Sequence, residues 1–73
     1  MKRYDLRHLK TEFLPRMKEL LGTHKAGEIA IFLFEIGDFS SVQASADLVK
    51  ESGYELLNSL KFNEVDWTVV TKR

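Results

Sequence analysis

The stretch Glu28-Ile-Ala-Ile-Phe-Leu-Phe-Glu-Ile36 constrains the fold more than any other part of this protein. Its β-branched and aromatic composition is that of a strand. Alternate side chains of a strand face opposite ways, so Ile29, Ile31 and Leu33 form one face and Ala30, Phe32, Phe34 and Ile36 the other. A strand that is apolar on both faces belongs in the middle of a sheet. The chain has only 73 residues, so it forms one small domain (1–73) in which most apolar side chains serve a single core.

The patterning on either side supplies the partners of that strand. Lys2 to Arg7 alternates, with Tyr4 and Leu6 on one side and Arg3, Asp5 and Arg7 on the other, which predicts a short strand. From Thr11 the period becomes helical, and Phe13, Leu14, Met17, Leu20 and Leu21 share one stripe. Pro15 is tolerated in a first helical turn, so the helix begins within a few residues of it. Ser40-Ser41 reads as an N-cap pair opening a second helix to about Ser52, with Val42, Ala46, Leu48 and Val49 inward. Tyr54 to Leu60 and Val65 to Thr71 read as two further strands joined around Phe62-Asn63-Glu64. Gly22 and Gly53 look like the left-handed residues that end the helices.

Right-handed crossovers place both helices on the same side of the sheet. The predicted fold is therefore α+β: a two-layer βαβαββ sandwich with a four-stranded mixed sheet and two helices on one face. Such a domain leaves one sheet face open. Either Phe32 and Phe34 or Ile29, Ile31 and Leu33 must lie on that face, and an exposed apolar patch usually marks a partner surface. We expect residues 30–36 and Trp67 to form a docking surface, with Phe32, Phe34 and Trp67 as its apolar contacts where they face outward.

Composition excludes much of chemistry. The chain has no cysteine, so it holds no disulfide, thiolate metal site, cysteine nucleophile or Cys-ligated iron–sulfur cluster. His8 and His24 lack ligand-like spacing, and no metal is expected. No G-x-S-x-G turn, P-loop or dinucleotide fingerprint occurs, and the chain is not expected to be catalytic alone. Residues 1–25 carry seven Lys/Arg against three Asp/Glu (+4), residues 26–66 two against eight (−6), and the last seven residues +2. That acidic middle disfavours nucleic acid as a partner. The apolar run is far shorter than the roughly 20 residues a membrane helix needs, so no direct membrane insertion is expected. Met1-Lys2-Arg3 is followed by charge rather than a signal-peptide core, and the expected location is cytoplasmic.

One location carries a ligand expectation. Ligands of open α/β sheets settle beyond the carboxyl ends of parallel strands, near helix N-termini. There Arg7, His8 and Lys10 would face Gly37, Asp38, Phe39, Ser40 and Ser41, a combination that suits a phosphate. Caps and solvated loops account for the same residues without a ligand.

Two resemblances extend this reading. Asp5-Leu6-Arg7-x-Leu9, Gly27-Glu28, Gly53-Tyr54-Glu55-Leu56-Leu57 and the final Lys72 distantly resemble the TusA-like sulfur-carrier fold. That family works through Cys-Pro-x-Pro, where this protein has Thr11-Glu12-Phe13-Leu14, so sulfur transfer does not carry over. More closely, Arg3-Tyr4-Asp5-Leu6-Arg7, Ala30-Ile31-Phe32-x-Phe34-Glu35-x-Gly37-Asp38-Phe39-Ser40, Glu55-Leu56-Leu57-Asn58-Ser59-Leu60 and Phe62-Asn63-x-x-Asp66-Trp67-Thr68 resemble the short E-subunit-like proteins of bacterial respiratory complex I (NADH-quinone oxidoreductase). These occur where the usual NADH-docking subunits are absent. A conventional E subunit is longer and binds a two-iron cluster through four cysteines, which are lacking here. The resemblance implies FMN as cofactor, the other peripheral-arm subunits as partners, a flavodoxin- or ferredoxin-type electron donor, and a place on the inner face of the membrane through the complex. FMN would set its phosphate between Arg7–Lys10 and Gly37–Ser41, and its ring against Phe39 or Trp67. The alternative is a cofactor-free assembly module of the complex.

Overall fold

A computed structural model describes all 73 residues, Met1–Arg73. The alternating N-terminal segment forms β1 (Lys2–Asp5), followed by a 3-10 helix (Arg7–Glu12) that leads into α1 (Phe13–Leu21). Pro15 lies in the first turn of α1, where its missing N–H costs no hydrogen bond. The apolar run forms β2 (Ile29–Glu35), then come α2 (Ser40–Glu51), β3 (Glu55–Lys61) and β4 (Asp66–Lys72). The sheet order is β1-β2-β4-β3: β1 runs parallel to β2, and β4 pairs antiparallel with both β2 and β3. β2 is thus interior, as its two apolar faces require. The crossover through α2 passes over β4 to reach β3 at the edge. The predicted α+β sandwich of four mixed strands and two helices is the fold observed.

The helices cover the even-numbered side of β2. Ala30, Phe32 and Phe34 are fully buried in one cluster with Phe13, Met17, Leu20 and Leu21 of α1, Val49 of α2 and Val69 of β4. Phe13 lies flat on Phe34, centroids 4.1 Å apart and planes 6° apart. Phe32 stacks on Tyr4, which stacks in turn on His24 at 5.7 Å. The expectation that Phe32 and Phe34 form a docking surface is therefore corrected: both are 0% exposed. Both faces of β2 are apolar, but only the aromatic face fills the volume beneath two helices. Ile29, Ile31 and Leu33 are left half-covered on the other side.

Local corrections follow from the backbone. Gly22 closes α1 in ordinary right-handed geometry, whereas Gly27 (φ 84°), Gly37 (φ 62°) and Gly53 (φ 79°) are left-handed. α1 is instead released through Thr23, whose N–H and hydroxyl both donate to the Leu20 carbonyl. Neither Ser40 nor Ser41 caps α2: the N-cap position is Phe39, and the first-turn N–H of Ser40 donates instead to Asp38 Oδ1 at 2.9 Å, as does the Ser40 hydroxyl. His24 is an interior residue rather than a helix-dipole partner. It is 1% exposed, its Nε2 is 3.1 Å from the Tyr4 hydroxyl, and Nδ1 has no partner.

The β3–β4 turn is locked to the other end of the chain. Asn63 Oδ1 accepts the N–H groups of Val65 and Asp66 at 2.8 Å, and Asn63 Nδ2 donates to Asp66 Oδ2 at 2.9 Å. Arg7 Nη1 donates to that same Asp66 oxygen at 3.3 Å. Its Nε and Nη2 grip the Asp5 carboxylate at 3.0 and 2.7 Å. The Phe62-Asn63-x-x-Asp66-Trp67 sequence is therefore a turn-and-latch element.

Two outcomes follow. Phe34→Ala removes a packed ring from the centre of the core and should cost about 3–5 kcal/mol in urea unfolding. Leu33→Ser, on the half-covered face, should cost far less. Acid should destabilise the fold in two windows. His24 is held below its usual range by burial, so stability begins to fall as pH drops below the unfolded value near 6.5. Hydrogen bonds from Arg7 lower Asp5 from 3.8 to about 2, so that contribution is present above pH 4 and lost toward pH 2. Circular dichroism against pH should show the second loss absent in Arg7→Ala.

Candidate functional site

The carboxyl end of β2 and the β3–β4 turn enclose a cleft of about 400 Å³. Its lining comes from three places: Glu35, Ile36, Gly37 and Phe39 after β2, Lys61 and Glu64 around the turn, and Val65 and Trp67 leading into β4. Register brings them together, because Phe34 stands opposite Trp67 and Trp67 opposite Lys61. Trp67 is half-buried, and its indole N–H donates to Ser59 Oγ at 2.8 Å, which fixes the ring. Phe39 meets it edge-on, centroids 6.3 Å apart and planes at 83°, and is 72% exposed. The cleft thus has one fixed aromatic wall and one exposed aromatic at its mouth.

Its electrostatics are unfavourable to anions. Glu35 and Glu64 oppose the single amine of Lys61, which already lies 3.2 Å from Glu64. Lys10 approaches Glu35 at 3.9 Å from the outside, with its side chain three-quarters exposed. Lys10 also adopts φ 50°, ψ −125°, a backbone region that costs a non-glycine residue of order 1–3 kcal/mol.

The residues expected to form a phosphate site are only partly assembled. The two loops do approach one another: a Cβ on Gly37 would lie 3.5 Å from the Thr11 methyl. Gly37, Phe39 and Trp67 share the cleft. Arg7 is elsewhere: its guanidinium spans Asp5 and Asp66, with one N–H of each of Nε, Nη1 and Nη2 engaged, and it does not line the cleft. His8 lines a separate groove of about 450 Å³ with Arg3, Tyr4, Glu12 and Arg16. The Asp38 carboxylate lies at the α2 N-terminus, and its hydrogen bonds with Ser40 hold it below the usual range. A carboxylate already sits where an anion would bind. Ser40 is taken up by Asp38, and Ser41, the second residue of α2, is half-buried.

The cleft therefore combines an aromatic wall with two carboxylates and one lysine that is already paired. Lys61, Glu64 and Val65 escaped the sequence reading, which placed Glu35 and Ile36 on a docking surface rather than in a cleft. The signal that would have found them is the pairing of β4 with β2, which carries the turn to the end of the central strand.

Known proteins share this fold and sequence. All of residues 1–73 match the family of the putative E chain of NADH-ubiquinone oxidoreductase. Among solved structures, the protein is similar to the solution structure of HP1264 from Helicobacter pylori. The two are 49% identical, with a TM-score of 0.69, over 100% of this sequence and 97% of that one. No curated protein matches. With its whole length matched, the protein belongs to the E-chain family of NADH-ubiquinone oxidoreductase.

Proposed function

We propose that this protein is an accessory subunit of bacterial respiratory complex I, held on the peripheral arm, and that it takes FMN with the isoalloxazine ring in the Trp67 cleft. Family membership supports the complex, and the lack of cysteine removes the cluster chemistry of a conventional E subunit. The observation that carries the ring's placement is the half-buried Trp67, pinned by Ser59 and faced by Phe39 in a cleft of about 400 Å³. Flat aromatic surfaces suit stacking on such a wall. A bound flavin exchanges electrons in pairs or singly, which is the cofactor's own chemistry. The protein's part is to hold the ring: Ser59 orients Trp67, and Phe39 shields the mouth. For the phosphate, Lys61 and Lys10 are the nearest cations, each already beside a carboxylate. No helix is long and apolar enough to cross a membrane. The proposed place is cytoplasmic, on the membrane's inner face through the complex. A flavodoxin- or ferredoxin-type protein would serve as donor. The likeness to the sulfur-carrier fold contributes only its strand order to this reading.

A cofactor-free assembly module is the second reading, favoured by the two carboxylates facing the cleft. Quenching of Trp67, the single tryptophan, separates the two. FMN and riboflavin should both quench it and bind within about threefold of each other, because no free cation grips the phosphate. Phe39→Ala should weaken both by roughly 2- to 12-fold, the worth of one aromatic contact. Arg7→Ala should weaken FMN and riboflavin to the same degree, because Arg7 holds the β3–β4 turn and touches no phosphate. FMN binding more than tenfold tighter than riboflavin would mean that the phosphate is gripped, and no quenching at millimolar flavin would leave the assembly module.

A further inference from the structure

The sheet face opposite the helices has no covering layer. Register places Ile29, Ile31 and Leu33 of β2, Thr68 and Val70 of β4 and Leu60 of β3 side by side on it. Phe62, 59% exposed, extends this surface and closes one side of a groove of about 510 Å³ with Ile31, Leu33, Thr68 and Arg3. A continuous apolar surface of this kind on so small a domain marks a protein contact.

The charges around it are unevenly satisfied. Lys2 pairs with Glu28, Arg7 with Asp5 and Asp66, Lys10 with Glu35, and Lys61 with Glu64. Arg3 and Lys72, which stand beside Ile31 and Ile29 on opposite sides of β2, have no salt bridge. Glu55 stands across from Lys72 but does not close one. The face therefore presents aliphatic side chains between Arg3, which is unpaired, and Lys72 with Glu55 across from it, both unbridged.

Size argues against self-association. Even if the four-residue β1 were as long as the seven-residue β2, β3 and β4, four strands about 4.8 Å apart at about 3.3 Å per residue would span only roughly 450 Å² in projection. A stable pair of standard size buries roughly 800 Å² per partner. The face alone falls short, and it suits a contact within a larger assembly.

We propose that this uncovered face is the surface by which the protein docks on a neighbouring complex I subunit, and that the partner presents aliphatic side chains flanked by carboxylates that meet Arg3 and Lys72. This rests on the assignment to complex I above. The face is distinct from the Trp67 cleft, which lies at the end of the sheet on the helix side.

The test is recovery of complex I core subunits with the tagged protein from detergent-solubilised membranes, comparing wild type, Leu33→Asp, the double variant Arg3→Glu/Lys72→Glu, and Lys50→Ala, an exposed position on α2. Circular dichroism of each purified variant checks folding, and the double variant changes exposed residues only. Wild type and Lys50→Ala should recover the core subunits equally within about twofold. Leu33→Asp and the double variant should recover at least tenfold less. Equal recovery with folded Leu33→Asp overturns the face, and equal recovery with the double variant overturns the acidic partner. No recovery with wild type overturns the complex I assignment itself. Sedimentation of the purified protein as a dimer that Leu33→Asp dissociates would make the occupant a second copy and overturn the proposal.

Discussion

Phe13 lies flat on Phe34, and the rest of the molecule takes its orientation from that contact. It sets α1 over the aromatic side of the central strand and, through Phe32, seats Tyr4 and His24 beneath the same layer. A domain of this size has enough helix to dry one side of its sheet and no more. Once the rings are inside, the aliphatic side of β2 must remain uncovered. Core and uncovered face are two consequences of one choice of face.

The same economy explains the polar end of the sheet. Arg7 has the appearance of a ligand-binding residue, since it follows a parallel strand and precedes a helix. Its guanidinium instead spans Asp5 and the buried Asp66, tying β1 to the β3–β4 turn across 59 residues of sequence. That latch positions the turn, and the turn supplies half of the Trp67 cleft. The arginine thus acts on the site through the fold rather than by touching a ligand. The cleft it helps to build is aromatic and carboxylate-lined, a better host for a ring than for a phosphate.

Much of this was legible in the sequence itself. The switch from period two to helical spacing at Thr11, and back again at Ile29, located each strand and both α-helices to within a few residues, but gave no sign of the 3-10 helix Arg7–Glu12. Pro15 and Gly53 sat where their backbone preferences require. Which side of β2 faced inward was not legible, because Ile29, Ile31 and Leu33 are as apolar as Phe32 and Phe34, and periodicity cannot rank two apolar faces. Gly22 misled because the hydrogen bonds of Thr23 with Leu20 release the helix without a left-handed residue. The phosphate site failed for a longer-range reason. A cation near a helix N-terminus is free or occupied according to carboxylates elsewhere in the sequence, and nothing near Arg7 announces Asp66. Asp38 is the local counterpart: two residues before Ser40, its carboxylate accepts the N–H and the hydroxyl of that serine, and no serine caps the helix.

The one-sided sheet is tested most directly by a dissolved paramagnetic probe in solution NMR, which broadens signals according to their distance from solvent. The structure predicts strong attenuation of the Ile31, Leu33 and Val70 methyl groups, with the Phe32 and Phe34 rings and the Val69 methyls protected. Attenuated Phe32 and Phe34 rings beside protected Ile31 and Leu33 methyls would mean that the helices cover the other face, and the account built on the buried aromatic side would be wrong.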